Sequence, residues 1–188
     1  DGVIVQLGCG LETTYHRCDN GKTHWYAVDL PHVIQYRRGL LPEPEREFYI
    51  SGDAFVKDWI IKVRNDVPDA PVLVTAGGLL HYFEENKVIS LLRMIGQSGN
   101  MEVVFDTVNK KGMAMMQKKY MKQVGHADAQ IYVDAAKELA AKIRGNVKVI
   151  AEEPYYRYIP KNGLKLSTKV SMAVSDQFKM VKMIHLKL

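Results

Sequence analysis

The chain has 188 residues, of which 47% are hydrophobic and 25% charged, with a formal net charge of +5. That balance supports one domain with a sizeable core and excludes global disorder. The charge is uneven: residues 1–106 carry 10 basic and 15 acidic side chains, residues 107–144 carry 8 and 3, and residues 161–188 carry 6 and 1.

No Arg/Lys-rich arm or reader module accompanies the basic C-terminal half, so nucleic acid is not an expected partner. No apolar run reaches the length of a membrane span, so a membrane is not expected either. Cys9 and Cys18 are too few for a disulfide scaffold or a zinc site, and reduced thiols point to a cytoplasmic protein without a metal. The opening residues DGVIVQLG lack the basic head and cleavage site of a signal peptide.

Val3-Ile-Val-Gln-Leu7 reads as a strand stopped by Gly8-Cys9-Gly10, with a helix carrying His16 beyond it. Residues 24–28 form a second strand closed by Asp29. Pro31, which has no N–H to lose, opens the next helix, with Val33, Ile34 and Leu40 on its apolar face. Phe48-Tyr-Ile50 is a short third strand stopped by Ser51-Gly52-Asp53, and residues 54–64 follow as a helix with Phe55, Trp59 and Ile60 on one face. Val72-Leu-Val74 is a fourth strand, ended by Thr75-Ala76-Gly77-Gly78. Residues 84–96 form an amphipathic helix around Val88, Leu91, Leu92 and Ile95, and residues 101–105 a fifth strand ended by Asp106.

Beyond Asp106 the rhythm breaks. Residues 113–123 read as a Met-rich basic helix, and Gly125 separates it from a second helix at 128–144. A strand at 147–151, a Tyr-rich basic loop at 155–166, a short helix at 167–175 and a final strand at 178–188 complete the chain. Strands alternating with helices indicate an α/β fold with a mostly parallel sheet flanked by helices. Seven strands emerge, and the connection between the last two is read as too short for a crossover helix, which predicts an antiparallel last strand. The expectation is one domain over 1–188 with a lid-like helical insertion at about 107–127.

Open parallel sheets gather ligands at the C-terminal ends of their strands. Gly8 and Gly10, Asp29, Gly52 and Asp53, Gly77 and Gly78, and Asp106 all fall there. The glycines permit a tight turn and close ligand approach, and Asp29, 19 residues beyond Gly10, suits the two hydroxyls of a ribose. Asp53, or the backbone beside it, suits the amine of an adenine. Against this, Gly-x-Gly and Gly77-Gly78 can be turns only, and Asp53 and Asp106 can be helix caps. A dinucleotide fingerprint needs a third glycine where Thr13 stands, and no Gly-Lys-Ser/Thr loop is present. A pyrophosphate is therefore disfavoured. An adenosine ligand without phosphate remains, and S-adenosylmethionine, with S-adenosylhomocysteine as product, is the obvious one.

The segments Val3-Ile-Val-Gln-Leu-Gly-Cys-Gly-Leu-Glu-Thr13, Trp25-Tyr-Ala-Val-Asp-Leu-Pro31 followed by Val33-Ile34, and Gly78-Leu-Leu-His-Tyr-Phe83, with Phe105-Asp106, resemble a class I S-adenosylmethionine-dependent methyltransferase. The resemblance is to the branch of leucine carboxyl methyltransferases and tetracenomycin-type polyketide O-methyltransferases, and it implies a Rossmann-like seven-stranded sheet. It also implies that Gly8, Cys9 and Gly10 line the methionine part of the cofactor, that Asp29 with Leu30 takes the ribose, and that Gly52, Asp53 and Ala54 meet the adenine end. Arg17 matches an arginine of the same pattern, and Gly77 and Gly78 border the site. Three departures stand out. Thr14 replaces an arginine of Gly-Leu-Asp-Thr-Arg, Gly77 replaces a glutamate, and the helices such proteins carry ahead of the first strand are not in these residues. The expectation is a fragment or an unusually minimal member.

Methyl transfer is an in-line displacement in which the cofactor carries the reactivity and the protein aligns donor and acceptor. The expected acceptor is a hydroxyl or carboxylate of a small, polyketide-like molecule, or another carboxyl group. A carboxylate needs no general base, whereas a phenol benefits from one. His81 and Tyr82, just after the Gly-Gly turn, are the catalytic candidates, each weighed against a packing role. His16 fits a wall or surface role, His126 a lid, and Cys9 a small buried filler. Met113, Met115, Met116, Tyr120 and Met121 sit among Lys110, Lys111, Lys118, Lys119 and Lys122. They suit an acceptor-pocket wall, or a packing surface over 113–121 for further helices or a homodimer partner. Competing functions are a degenerate methyltransferase fold kept for association and a nicotinamide oxidoreductase, disfavoured by Thr13. Nucleic-acid methylation is a further alternative, but Ala76-Gly77-Gly78-Leu79 stands where Asn-Pro-Pro-Tyr is expected.

Overall fold

The computed structural model describes residues 2–117 and 130–188. Seven strands form one sheet: β1 (Val3–Leu7), β2 (His24–Asp29), β3 (Glu47–Ser51), β4 (Val72–Ala76), β5 (Met101–Val108), β6 (Lys148–Pro154) and β7 (Val181–Lys187). Their order is β3-β2-β1-β4-β5-β7-β6. The first five strands are parallel, and β7 enters antiparallel between β5 and β6. The described helices are α1 (Thr14–Cys18), α2 (Pro31–Leu40), α3 (Asp58–Asp66), α4 (Glu85–Gly96), α5 (Lys110–Met116), α6 (Ala136–Ile143) and α7 (Leu166–Gln177), with a single 3-10 turn at Leu80–Tyr82.

Burial on both faces explains the near-continuous apolar runs of the central strands. Val5, Leu7, Val28, Val74, Val103 and Phe105 pack against Trp59 and Ile60 of α3, Leu92 and Ile95 of α4, and Leu139 of α6. On the other face Cys9, Ala27 and Tyr49 pack against Ile34 of α2. The chain builds outward from β1 to β3, then returns to lay β4 on the other side of β1. That reversal opens a crevice above the C-terminal ends of β1 and β4.

Several elements differ from the sequence expectation. Strand β5 runs on to Val108 because β7 extends its ladder, pairing Met183 with Asp106 and Val181 with Val108. Asp106 thus lies inside the strand. Helix α3 starts at Asp58, after a turn that Trp59 Nε1 pins by donating to the Ala54 carbonyl at 2.9 Å. Helix α5 starts at Lys110 because the Asn109 side chain caps it, accepting from Gly112 N–H at 2.8 Å.

The helix expected over 128–144 begins only at Ala136. Ahead of it Ile131 and Val133 alternate inward, 4% and 6% exposed, in an extended strap. Val133 N–H donates to Val108 O at 2.8 Å, and the Lys182 ammonium, 1% exposed, donates to Asp134 O and Glu152 Oε1, each at 2.6 Å. The connection from β6 to β7 holds the 12-residue helix α7, so its shortness is not what turns β7 antiparallel. Pro154, the last residue of β6, pairs with Lys182 near the start of β7, so the connection leaves and re-enters at the same end of the sheet whatever its length.

Met113 packs within the chain against Val108, with Met116 and Val181 beside it. The remainder of the expected lid and Met-rich surface, including Lys118, Lys119, Tyr120, Met121, Lys122, Gly125 and His126, lies outside the described residues. Among the described residues no helix is long and apolar enough to cross a membrane, and no group of three His, Cys, Asp or Glu could hold a metal ion.

Candidate functional site

Hydrogen bonds from the polar and glycine residues singled out in the sequence tie the ends of β1, β2 and β3 to one another and the end of β4 to β5. Gly8 N–H donates to Val28 O at 2.9 Å, and Gly10 N–H to Asp29 Oδ2 at 2.8 Å. Gly52 N–H donates to Asp29 O at 2.9 Å, and Gly78 N–H to Asp106 Oδ1 at 2.6 Å. Gly8, Gly10 and Gly78 have φ of +64°, +47° and +64°, the left-handed region that a side chain disfavours. At Gly8 a Cβ would also meet Leu79 Cδ1 at 2.9 Å. At Gly10, Gly52 and Gly78 it would meet nothing within 4 Å, so these three backbones border open space.

Among the described residues Asp29 uses each carboxylate oxygen once, because Leu30 N–H donates to Oδ1 at 2.7 Å. A carboxylate has about four acceptor sites, so two remain, one on each oxygen, for a pair of hydroxyls. Leu30 itself is 44% exposed on the rim. Asp53 is exposed and uses Oδ1 to accept from Phe55 N–H at 2.9 Å, a turn-stabilising role. Ala54 carries the carbonyl that Trp59 holds.

Arg17 is spent on Thr13 and Thr14, at 2.7 and 3.3 Å from their hydroxyls. It therefore borders the site through Thr14, which donates onward to the Glu12 carboxylate at 3.2 Å. His16 is exposed on α1. Cys9 is fully buried, and that burial pushes its thiol pKa up to about 12, which suits a filler and removes it as a nucleophile.

His81 lies in the 3-10 turn beyond Gly77-Gly78, half-buried, with its ring centroid 4.2 Å from that of Tyr82. Burial lowers its pKa below the ordinary histidine value, and the charge of Asp106 opposes that shift without reversing it. The strap holds this turn, since Gln130 N–H donates to His81 O at 2.8 Å. Tyr82 is 45% exposed and is not part of the core.

Two pairs of residues were not singled out in the sequence. Arg37 Nη1 donates to Gly10 O at 3.1 Å and Glu12 O at 2.8 Å, while Nη2 reaches Glu47 Oε1 at 3.0 Å. It clamps the glycine turn from below. Its signal was an arginine three residues beyond Ile34, on the helix stripe that faces the sheet. Gln6 Nε2 donates to Glu12 Oε2, tying a strand residue to the turn above it. A polar residue in an otherwise apolar strand was its signal.

The family model of leucine carboxyl methyltransferases matches residues 1–96. The tetracenomycin polyketide synthesis O-methyltransferase TcmP of Streptomyces glaucescens is 34% identical over 110 residues, covering 57% of this chain and 40% of that protein. The S-adenosyl-L-methionine-dependent methyltransferase dpfgK of Gibberella zeae is 31% identical over 160 residues, 76% of this chain and 52% of that protein. The chain thus spans about half or less of the length of these curated relatives. Human N-acetylserotonin methyltransferase, solved in complex with SAM, superposes with a TM-score of 0.61 at 13% identity, covering 98% of this chain and 47% of that one. At that identity the likeness speaks to the fold alone.

Proposed function

This chain belongs to the leucine carboxyl methyltransferase family, and from that premise we propose that it binds S-adenosylmethionine above β1–β4 and methylates an oxygen of a small acceptor. The observation that carries the proposal is Asp29. Two backbone N–H groups fix its carboxylate at the end of β2, with one acceptor site free on each oxygen beside the open glycine turn. A ribose diol is the complementary ligand. Gly8, Cys9 and Gly10 would line the methionine end, Leu30, Gly52, Asp53 and Ala54 the adenosine, and Gly77 and Gly78 the far wall.

When bound, the cofactor supplies an activated methyl group on a sulfonium sulfur. The chain's own residues bind and orient it and screen it from water. Burial lowers the His81 pKa and so favours the neutral ring, whose nitrogen can accept the proton of an acidic hydroxyl as that oxygen is methylated. The adjacent Tyr82 ring, exposed on the same turn, offers a surface for a flat acceptor. The names of TcmP and dpfgK support a methyl transferase, and the polyketide association of TcmP supports a phenolic or carboxylic acceptor.

The experiment is transfer of isotope-labelled methyl from S-adenosylmethionine to a panel of phenols, aromatic acids and peptide carboxyl groups. The expected result is label on an acceptor oxygen, abolished by Asp29→Ala. Label on none of them, with the cofactor bound, would turn the assignment from enzyme to binding module.

A further inference from the structure

We infer that Glu12, together with the side-chain amide of Gln6, receives the α-ammonium group at the amino-acid end of the cofactor. The inference rests on the cofactor reading above and assigns one atom of that ligand to two residues of this chain.

Glu12 closes the turn that begins at Cys9, with its N–H donating to Cys9 O at 2.9 Å. Arg37 fastens that turn through the Gly10 and Glu12 carbonyls, so the backbone that carries the carboxylate is fixed. One carboxylate oxygen, Oε2, accepts from Gln6 Nε2 and from the Thr14 hydroxyl. The other, Oε1, lies 3.5 Å from where a Cβ would stand on Gly77. The carboxylate therefore bridges from the β1 turn toward the end of β4, across the crevice where the sheet order reverses. Gly77 has no side chain to occupy that place.

The chemistry around this point is one-sided. Among the described residues the Glu12 carboxylate makes no ion pair, and its side-chain partners there are the uncharged Gln6 and Thr14. Gln6 is only 5% exposed, and its Oε1 has no hydrogen-bond partner although its Nε2 is engaged by Glu12. A buried acceptor left unpaired is costly, and here it belongs to the amide group already bonded to the carboxylate. Gln6 Oε1 and the second carboxylate oxygen of Glu12, Oε1, are thus acceptors without a donor among the described residues. The matching ligand is a cation with several N–H donors, and a primary ammonium has three. A ribose hydroxyl lacks the charge, and the cofactor's own carboxylate has the wrong sign.

The test is calorimetric binding of two probes to the unmodified chain, Glu12→Gln and Asp29→Ala. S-adenosylhomocysteine carries the ammonium, whereas 5′-methylthioadenosine keeps the adenosine and sulfur but lacks the amino-acid end. Loss of a charge-assisted hydrogen bond predicts that Glu12→Gln weakens S-adenosylhomocysteine about tenfold or more. The same substitution is expected to leave 5′-methylthioadenosine within about twofold, which also shows that the variant is folded, while Asp29→Ala weakens both probes. Equal loss of both probes in Glu12→Gln, or loss of neither, overturns the inference and leaves the cofactor reading standing. No binding of either probe by the unmodified chain overturns the cofactor reading and this inference with it.

Discussion

Arg37 and Glu47 meet at 3.0 Å with neither side chain exposed to solvent, and the same guanidinium holds the carbonyls of Gly10 and Glu12. It also lies 4.8 Å over the Tyr49 ring. An ion pair inside the domain thus sets the shape of a turn at its surface. Removing one member leaves the other charged and buried, at a cost of about 3–5 kcal/mol.

Arg37→Met is therefore expected to lower stability by about that amount in urea unfolding, and Arg37→Met with Glu47→Leu by clearly less. Burial already pushes the Glu47 carboxyl above its ordinary range, with Arg37 opposing. Without Arg37 the folded-state pKa rises further. Stability is then highest below the unfolded value and falls as pH rises through the folded one, so the defect of Arg37→Met should shrink on acidification. A defect that grows on acidification would contradict the pairing.

The two glycines of the first turn should respond differently to alanine. Gly8→Ala combines a left-handed backbone with a contact at 2.9 Å to Leu79 Cδ1. Gly10→Ala carries the backbone cost alone, about 1–2 kcal/mol. Thermal unfolding should show the larger loss for Gly8→Ala, partly recovered by Leu79→Ala. Cofactor binding should fall for Gly10→Ala, whose methyl enters the open crevice.

How much of this was legible in the residues differs by region. The strand ends were, because an apolar run broken by glycine or aspartate marks both the end of a strand and the start of a polar rim. Asp29 and the glycines came directly from that pattern. Arg37 and Glu47 were hidden because a charge on a helix reads as solvent-facing until its partner, on a strand ten residues away, is seen across the core. The strap at 131–135 was read as helix because Ile131, Ala135, Leu139 and Ile143 keep helical spacing. The competing two-residue alternation of Ile131 and Val133 won, anchored by Val108 and the buried Lys182. Helix α7 was read short because only Met172 of its side chains is buried, leaving little apolar periodicity to mark its ends.

Cysteine reactivity offers an independent check on the small core beneath the glycine turn. Cys9 is fully buried with its thiol pKa pushed up to about 12, whereas Cys18 is exposed. At pH 8 a thiol reagent should modify the native chain once, at Cys18, and reach Cys9 only on unfolding. Rapid double modification of the native chain would show that the turn above Cys9 opens.

His81 should titrate below the ordinary histidine value of about 6.5, followed by its imidazole proton resonances. Because its folded pKa is depressed, the stability it contributes is present above that value and is lost as pH falls through the folded one. Asp106→Asn removes the charge that opposes the shift, so the midpoint should move lower still. A rise in Asp106→Asn would contradict this placement of the two groups.

The central claim is that the ends of β1 and β2 form an adenosine site organised by Asp29. Titration calorimetry with S-adenosylhomocysteine on the unmodified chain and on Asp29→Ala tests it most directly. Micromolar binding that weakens by about tenfold or more on loss of two charge-assisted hydrogen bonds is the predicted result. No binding heat, or the same affinity in Asp29→Ala, would contradict it.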